Sequence, residues 1–151
     1  MSRELTIRVD SATSHQIADF LRGCDPVFVS ELSRKVVIEE YAMKLAEKAV
    51  CWEAWCGDRL VGMAAIYCND LKERAAFITS ISVLADWQRL GLGSRLVSQC
   101  IEHAQSLGFA LIRLEVESQN SAAMRLYQKL GFVVDTVDGK STIMHLIFNQ
   151  A

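Results

Sequence analysis

Seven residues that read as a strand, Phe77-Ile78-Thr79-Ser80-Ile81-Ser82-Val83, lead through a short loop into Gln88-Arg89-Leu90-Gly91-Leu92-Gly93-Ser94. A helical pattern follows at once, with Leu92, Leu96, Cys100 and Ala104 on one face and Gly108 just past its end. A glycine-rich turn that opens a helix leaves backbone N–H groups without partners, and the helix dipole adds partial positive charge there. Such a turn suits phosphate groups.

The rest of the chain bounds what that turn can serve. A length of 151 residues, half of them apolar, fits one domain over residues 1–151. The formal net charge is −2 and no Lys/Arg run forms a nucleic-acid arm, so nucleic acid is not an expected partner. No segment approaches the about 18 consecutive apolar residues of a membrane span, and Met1-Ser2-Arg3-Glu4 does not read as a signal peptide. Cys24, Cys51, Cys56, Cys68 and Cys100 are odd in number and hold no Cys-x-x-Cys pair, while His15, His103 and His145 lie far apart. Neither a disulfide framework nor a metal site is expected, and reduced thiols in a cytoplasmic protein fit better.

The periodicities describe a mixed α/β chain. Leu5, Ile7 and Val9 alternate with polar residues as in a half-buried strand. Thr13 or Ser14 caps a helix carrying Ile17, Phe20 and Leu21 and ending near Gly23. After an irregular stretch, a second helix is predicted from Val36 to Ala49, with Ile38, Tyr41, Met43 and Leu45 partly inward. Val50 to Trp55, a turn at Gly57-Asp58 and Leu60 to Tyr67 read as a hairpin. A longer strand spans Arg74 to Val83 and the central helix Gly91 to Leu107. Then come a strand from Ala110 to Glu117, a helix from Ser121 to Leu130 stopped by Gly131, and strands over Phe132–Thr136 and Thr142–Phe148.

This order of elements resembles that of the GCN5-related N-acetyltransferase (GNAT) family over nearly the whole chain. Two motifs carry the resemblance. Gln88-x-x-Gly91-x-Gly93 is similar to the family's acyl-CoA pyrophosphate loop, and Asn120 through Leu126-Tyr127 to Gly131-Phe132 is similar to its second signature. The family implies a mixed, mostly antiparallel twisted sheet of about six to seven strands, flanked by about four helices. It also implies acetyl-CoA as the acyl donor, an amine acceptor and no metal.

The first motif has a physical logic of its own. Gly91 and Gly93 remove side chains where backbone must approach a bulky anion, and N–H groups from Leu90 through Leu92 to Ser94 can form a nest around it. Arg89 adds charge; equally, Gln88 and Arg89 can be exposed side chains without a ligand. A dinucleotide-binding turn is the competing reading, with Glu115 about 20 residues on. It fails because Leu96 replaces the third glycine, Val83 stands well before Gly91, and the short chain holds one such unit.

By resemblance, Ile81, Ser82 and Val83 pair their backbone with the pantetheine arm of the coenzyme, a mode that needs no particular side chains. Transfer to an amine requires a base to remove a proton, donors for the developing oxyanion, and a proton donor for the departing thiolate. Tyr127 matches the family's tyrosine in that last role, and a phenol with a pKa of about 10 stays protonated at neutral pH. A core tyrosine packed beside Leu126 and Leu130 is the plainer alternative. Asn120 can cap the helix after it and reach the coenzyme.

Glu115, within Leu114-Glu115-Val116, is the candidate base, because burial in an apolar strand would raise a carboxyl pKa. Its spacing to Tyr127 resembles that in ribosomal-protein alanine N-acetyltransferases; a structural carboxylate is the alternative. Glu117, on the same face by strand alternation, is second choice and Glu73 third. The resemblance places the acceptor wall at about Arg22 to Tyr41, including Asp25, Phe28, Glu31, Ser33 and Arg34, with Asp135 to Ser141 opposite. The acceptor is expected to be a small-molecule amine. A protein N-terminus or lysine, and an acyl-CoA-binding module without turnover, are the alternatives. A cysteine-acyl route has no supporting Cys–His spacing, and a homodimer through the final strands is an expectation from their exposed edge.

Overall fold

The computed structural model describes residues 4–24 and 37–148. Its strands are β1 (Thr6–Val9), β2 (Val50–Cys56), β3 (Arg59–Asp70), β4 (Ala75–Val83), β5 (Leu111–Glu117), β6 (Val133–Asp138) and β7 (Ser141–Ile147). They form one sheet in the order β1-β2-β3-β4-β5-β7-β6. Every neighbouring pair is antiparallel except β4 and β5, which are parallel. The helices among the described residues are α1 (Ser14–Arg22), α2 (Ile38–Lys48), α3 (Leu92–Ser106) and α4 (Ser121–Lys129). This is the mixed, mostly antiparallel sheet that the family resemblance implies.

Local chemistry explains where the helices start. Thr13 caps α1 with its hydroxyl accepting from Gln16 N at 3.1 Å, while Gln16 Oε1 accepts from Thr13 N at 2.8 Å. The two exchanges satisfy donors that the first turn would leave orphaned. Ile17, Phe20 and Leu21 then point into the core as expected. The second helix starts later than predicted and is rotated. Its buried stripe is Ile38, Ala42 and Leu45, whereas Met43 is half exposed. A side chain as small as Ala42 lets α2 approach the sheet closely, and Met43 is turned away from it.

Helix α1 packs against α2 and β3, α2 against β2 and β3, and α3 against β2, β3, β4 and β5. Cover on both faces explains why β3 is buried continuously from Leu60 to Ile66 rather than alternately. β2 carries a buried carboxylate, Glu53, which accepts from Ser11 N, Ser11 Oγ, Ala12 N and Trp55 Nε1 at 2.6–3.2 Å. Four donors offset its desolvation and tie the segment before α1 to the sheet.

The strand predicted from Phe132 also differs from the sequence reading. Phe132 precedes β6 and is buried edge-to-face against Tyr127, with ring centroids 6.1 Å apart. β6 therefore runs from Val133, and all six of its residues are exposed at the sheet's edge.

The relation between β4 and β5 positions the site. They pair only from Ala75 opposite Leu111 to Ile78 opposite Leu114. Beyond that point Thr79–Val83 and Glu115–Glu117 have no strand between them. Ala65 of β3 faces Ser80 while the next residue, Ile66, faces Ile78, so Thr79 is an extra residue in β4. A bulge bends its strand and raises the local twist, which carries β4 away from β5.

Candidate active site

The gap opens at the carboxyl ends of two parallel strands, where ligands of open α/β sheets bind. On one side it widens into a cleft of about 600 Å³ lined by Ile81, Ser82, Val83, Trp87, Gln88, Arg89, Gly91, Leu92, Gly93, Ser94, Asn120, Ala122, Ala123, Leu126 and Tyr127. The predicted coenzyme residues therefore converge, with one exception. Leu90 is 59% exposed and does not line the cleft. It falls between two left-handed residues, Arg89 at φ 66° and Gly91 at φ 76°, and the turn between them carries its side chain outward.

Gly91 adopts a conformation that side chains disfavour, and no side chain caps the first turn of α3. The N–H groups of Leu92, Gly93 and Ser94 thus lack intrahelical partners and form the positive end of a 15-residue helix dipole. A Cβ placed on Gly93 would meet only Leu126 Cδ2, at 3.8 Å, which is ordinary contact. Packing within the described residues does not require glycine there, whereas close approach of a phosphate to the backbone does. Arg89 is the one charged side chain lining the cleft among the described residues. Gln88 bends back instead, donating from Nε2 to Val83 O at 3.0 Å and closing the end of β4. These features fit the pyrophosphate and extended arm of a coenzyme A thioester.

A smaller cavity of about 240 Å³ adjoins the cleft, lined by Tyr41, Ile78, Thr79, Ser80, Ile81, Leu114, Glu115, Val116, Glu117, Asn120, Ala123 and Tyr127. Ile81, Asn120, Ala123 and Tyr127 belong to both linings. Asn120 caps α4, its Oδ1 accepting from Ala123 N at 3.2 Å. Tyr127 is 8% exposed, and burial pushes its phenol up to about 12. The hydroxyl is neutral throughout the physiological range and is available as a donor.

Glu115 is exposed, which corrects the expectation of a buried carboxylate. On β5, Ile112, Leu114 and Val116 are buried while Arg113, Glu115 and Glu117 are exposed, because cover lies on one face only. Its Oε1 accepts from Ser141 Oγ at 2.8 Å, a bond to the paired hairpin strand that fixes its direction. Glu117 shares the face and the cavity, as predicted. Glu73 does not: it precedes β4, at the opposite end of that strand, and lines neither cavity.

No cysteine lines either cavity. Burial pushes the Cys51 thiol up to about 12 and raises those of Cys68 and Cys100 as well. Raised thiols are poor nucleophiles. No cluster of three or more metal-ligating side chains occurs among the described residues. Of the expected acceptor wall, Asp25, Phe28, Glu31, Ser33 and Arg34 lie outside the described residues. No helix among the described residues is long and apolar enough to cross a membrane.

Tyr41, the end of the expected acceptor wall, lines the smaller cavity, whereas sequence reasoning missed Trp87, Thr79 and Ser80. Trp87 had a signal, since a tryptophan in a short loop must find cover; it sits buried at the end of a 3₁₀ turn over Ala85–Trp87. Thr79 and Ser80 are placed beside Tyr41 of α2 by the bulge.

Comparison with known proteins follows the same lines. The profile of the Acetyltransferase (GNAT) family matches residues 14–132. The uncharacterized N-acetyltransferase YvbK of Bacillus subtilis is 28% identical over 143 residues, covering 95% of this chain and 84% of that protein. The [ribosomal protein bS18]-alanine N-acetyltransferase of Escherichia coli is 37% identical over 75 residues, about half of each chain (50% and 51%). Among solved structures, the PaiA N-acetyltransferase of Thermoplasma acidophilum in complex with coenzyme A superposes with a TM-score of 0.79 at 16% identity, covering 95% and 99% of the two chains. The ribosomal-protein-S18-alanine N-acetyltransferase of E. coli gives 0.77 at 22% identity, covering 98% and 96%. A glycine turn opening α3, a splayed β4–β5 pair and a buried tyrosine shared by two cavities thus accompany a match over most of the chain, which belongs to the GNAT family of acetyltransferases.

Proposed function

We propose that the protein transfers an acetyl group from acetyl-CoA directly to the primary amine of a small molecule. The observation that carries this reading is the position of Tyr127, which lines both the cleft that suits the coenzyme and the acidic cavity beside it. The first-turn N–H groups of α3, Arg89, and the edge of β4 from Ile81 to Val83 hold the donor, whose thioester supplies the activated acyl group.

Glu115, oriented by Ser141, takes the proton from the attacking amine, directly or through a water. Tyr127 donates a hydrogen bond to the sulfur as the carbon–sulfur bond breaks. With its pKa near 12, the phenol is a weaker acid than an alkyl thiol, so complete transfer of its proton to the departing thiolate is uphill. It therefore stabilises developing charge, and the proton released by the amine restores the thiol.

Five cysteines without disulfide partners favour a reducing, cytoplasmic setting. Pairing of β6 with a second copy is part of the proposal, because this edge strand exposes Val133, Val134 and Val137.

The test is thiol release from acetyl-CoA against panels of small amines and short peptides, with Tyr127→Phe alongside. The expected result is release that depends on small amines and falls in the variant. The bS18-alanine N-acetyltransferase similarity favours a second reading, a protein N-terminus, and release with peptides alone would establish it. Tight coenzyme binding without release for any amine would instead indicate a binding module.

A further inference from the structure

Ser80 is buried at 8% exposure, and its Oγ has no hydrogen-bond partner. It lines the smaller cavity together with Tyr41, Thr79, Glu115 and Glu117. Register fixes the side to which it points. Ser80 pairs with Ala65, Ala65 with Cys51, and the Cys51 thiol lies 3.7 Å from Leu45 O of α2. Paired residues share a face, so Ser80 faces the α2 side. Leu114 pairs with Ile78 on the other face, which leaves Glu115 and Glu117 on the side of Ser80. The extra residue at Thr79 keeps Ile78 and Ile81 on the α3 face while placing Ser80 on the face of the carboxylates.

We propose that Ser80 determines acceptor specificity: its hydroxyl, closed off in the free protein, swings about χ1 into the cavity and pairs with a hydroxyl or carbonyl carried beside the acceptor's amine. The inference rests on the acetyltransferase reading and narrows its substrate class. A buried hydroxyl without a partner is unfavourable, and a ligand that supplies one recovers that loss. No basic side chain lines the cavity among the described residues, so Glu115 and Glu117 favour a cationic amine. At about 30 Å³ per water, a volume of about 240 Å³ holds roughly eight water-sized groups, which fits the end of a small polar amine. An alkyl amine of the same shape leaves the Ser80 hydroxyl unpaired and is disfavoured for that reason.

The experiment compares isosteric pairs as acceptors for the full chain: 2-aminoethanol with propylamine, and alaninamide with 3-methyl-2-butylamine. The expected result is about a tenfold preference in kcat/KM for the polar member of at least one pair, expressed mainly in KM. Ser80→Ala should reduce that ratio toward one without lowering the thermal midpoint, because it removes an unpaired buried hydroxyl. Ser80→Thr, which keeps the hydroxyl, should retain the preference. The responding pair separates the two sources of the chemistry, a free amino alcohol or an aminoacyl terminus. Equal use of both members by the wild type, or a preference unchanged in Ser80→Ala, would overturn the inference. Absence of turnover with all four amines would also overturn it, and calorimetry with acetyl-CoA then shows whether the acetyltransferase reading fails too.

Discussion

Ile78 and Leu114 are the last residues at which β4 and β5 face each other, and the bulge residue Thr79 follows Ile78 directly. The cleft thus begins where the ladder stops. Unpaired β4 backbone, the α3 N-terminus and Tyr127 all lie on the far side of that pair.

Tyr127→Phe removes the donor but keeps the ring and its edge-to-face contact with Phe132. The expected effect on thiol release is a loss of about 10²-fold in kcat with coenzyme affinity little changed, since one transition-state donor contributes on that order. Steady-state kinetics and calorimetry check the two halves.

The same substitution has a signature in alkaline stability. Burial raises the folded phenol to about 12, above the value near 10 of an unfolded tyrosine. The unfolded chain therefore loses this proton first, so the stability contribution is complete below pH about 10 and declines as pH rises toward 12. Unfolding free energies from urea titration between pH 9 and 12 should fall less steeply in Tyr127→Phe, by about 2–3 kcal/mol across that window. Equal slopes in both proteins would count against burial of the phenol.

Gly93→Ala separates folding from binding. The added Cβ meets one side-chain carbon at 3.8 Å, and alanine lowers the entropy of the unfolded chain. Stability should rise by about 0.4–1 kcal/mol. Coenzyme A affinity should nevertheless fall at least tenfold, on the order of 1.4 kcal/mol, if phosphate approaches that backbone. Unchanged affinity would remove the loop from the proposed site.

Glu115→Gln should lower kcat by about 10²-fold while leaving coenzyme affinity intact. Ser141→Ala, which frees the carboxylate from its 2.8 Å bond, should cost only a few-fold. A Glu117→Gln variant with the larger loss would transfer the role of base to that residue.

Glu53→Leu tests the fold away from the site. It strands Ser11 N, Ala12 N and Trp55 Nε1 as donors without an acceptor. Unfolding free energy from urea titration should drop by about 3 kcal/mol or more.

What could be read from residues in order was local chemistry. The Thr13 cap, the glycine turn before α3, the Asn120 cap and the alternation of β5 each depend on neighbours a few positions away, so spacing alone announced them. The reading of Glu115 erred by weighing its apolar neighbours over that same alternation, which already placed the carboxylate on an uncovered face.

The sequence by itself determined the order of elements, the glycine turn that opens α3 and the family. Tertiary structure alone decided which side chains share a cavity. Tyr41, Ser80, Glu115 and Tyr127 come from α2, β4, β5 and α4, and no spacing brings Tyr41 or Ser80 to the other two. One inserted residue at Thr79 sets both the face that Ser80 presents and the parting of β4 from β5, because register passes from strand to strand through the ladder rather than along the chain.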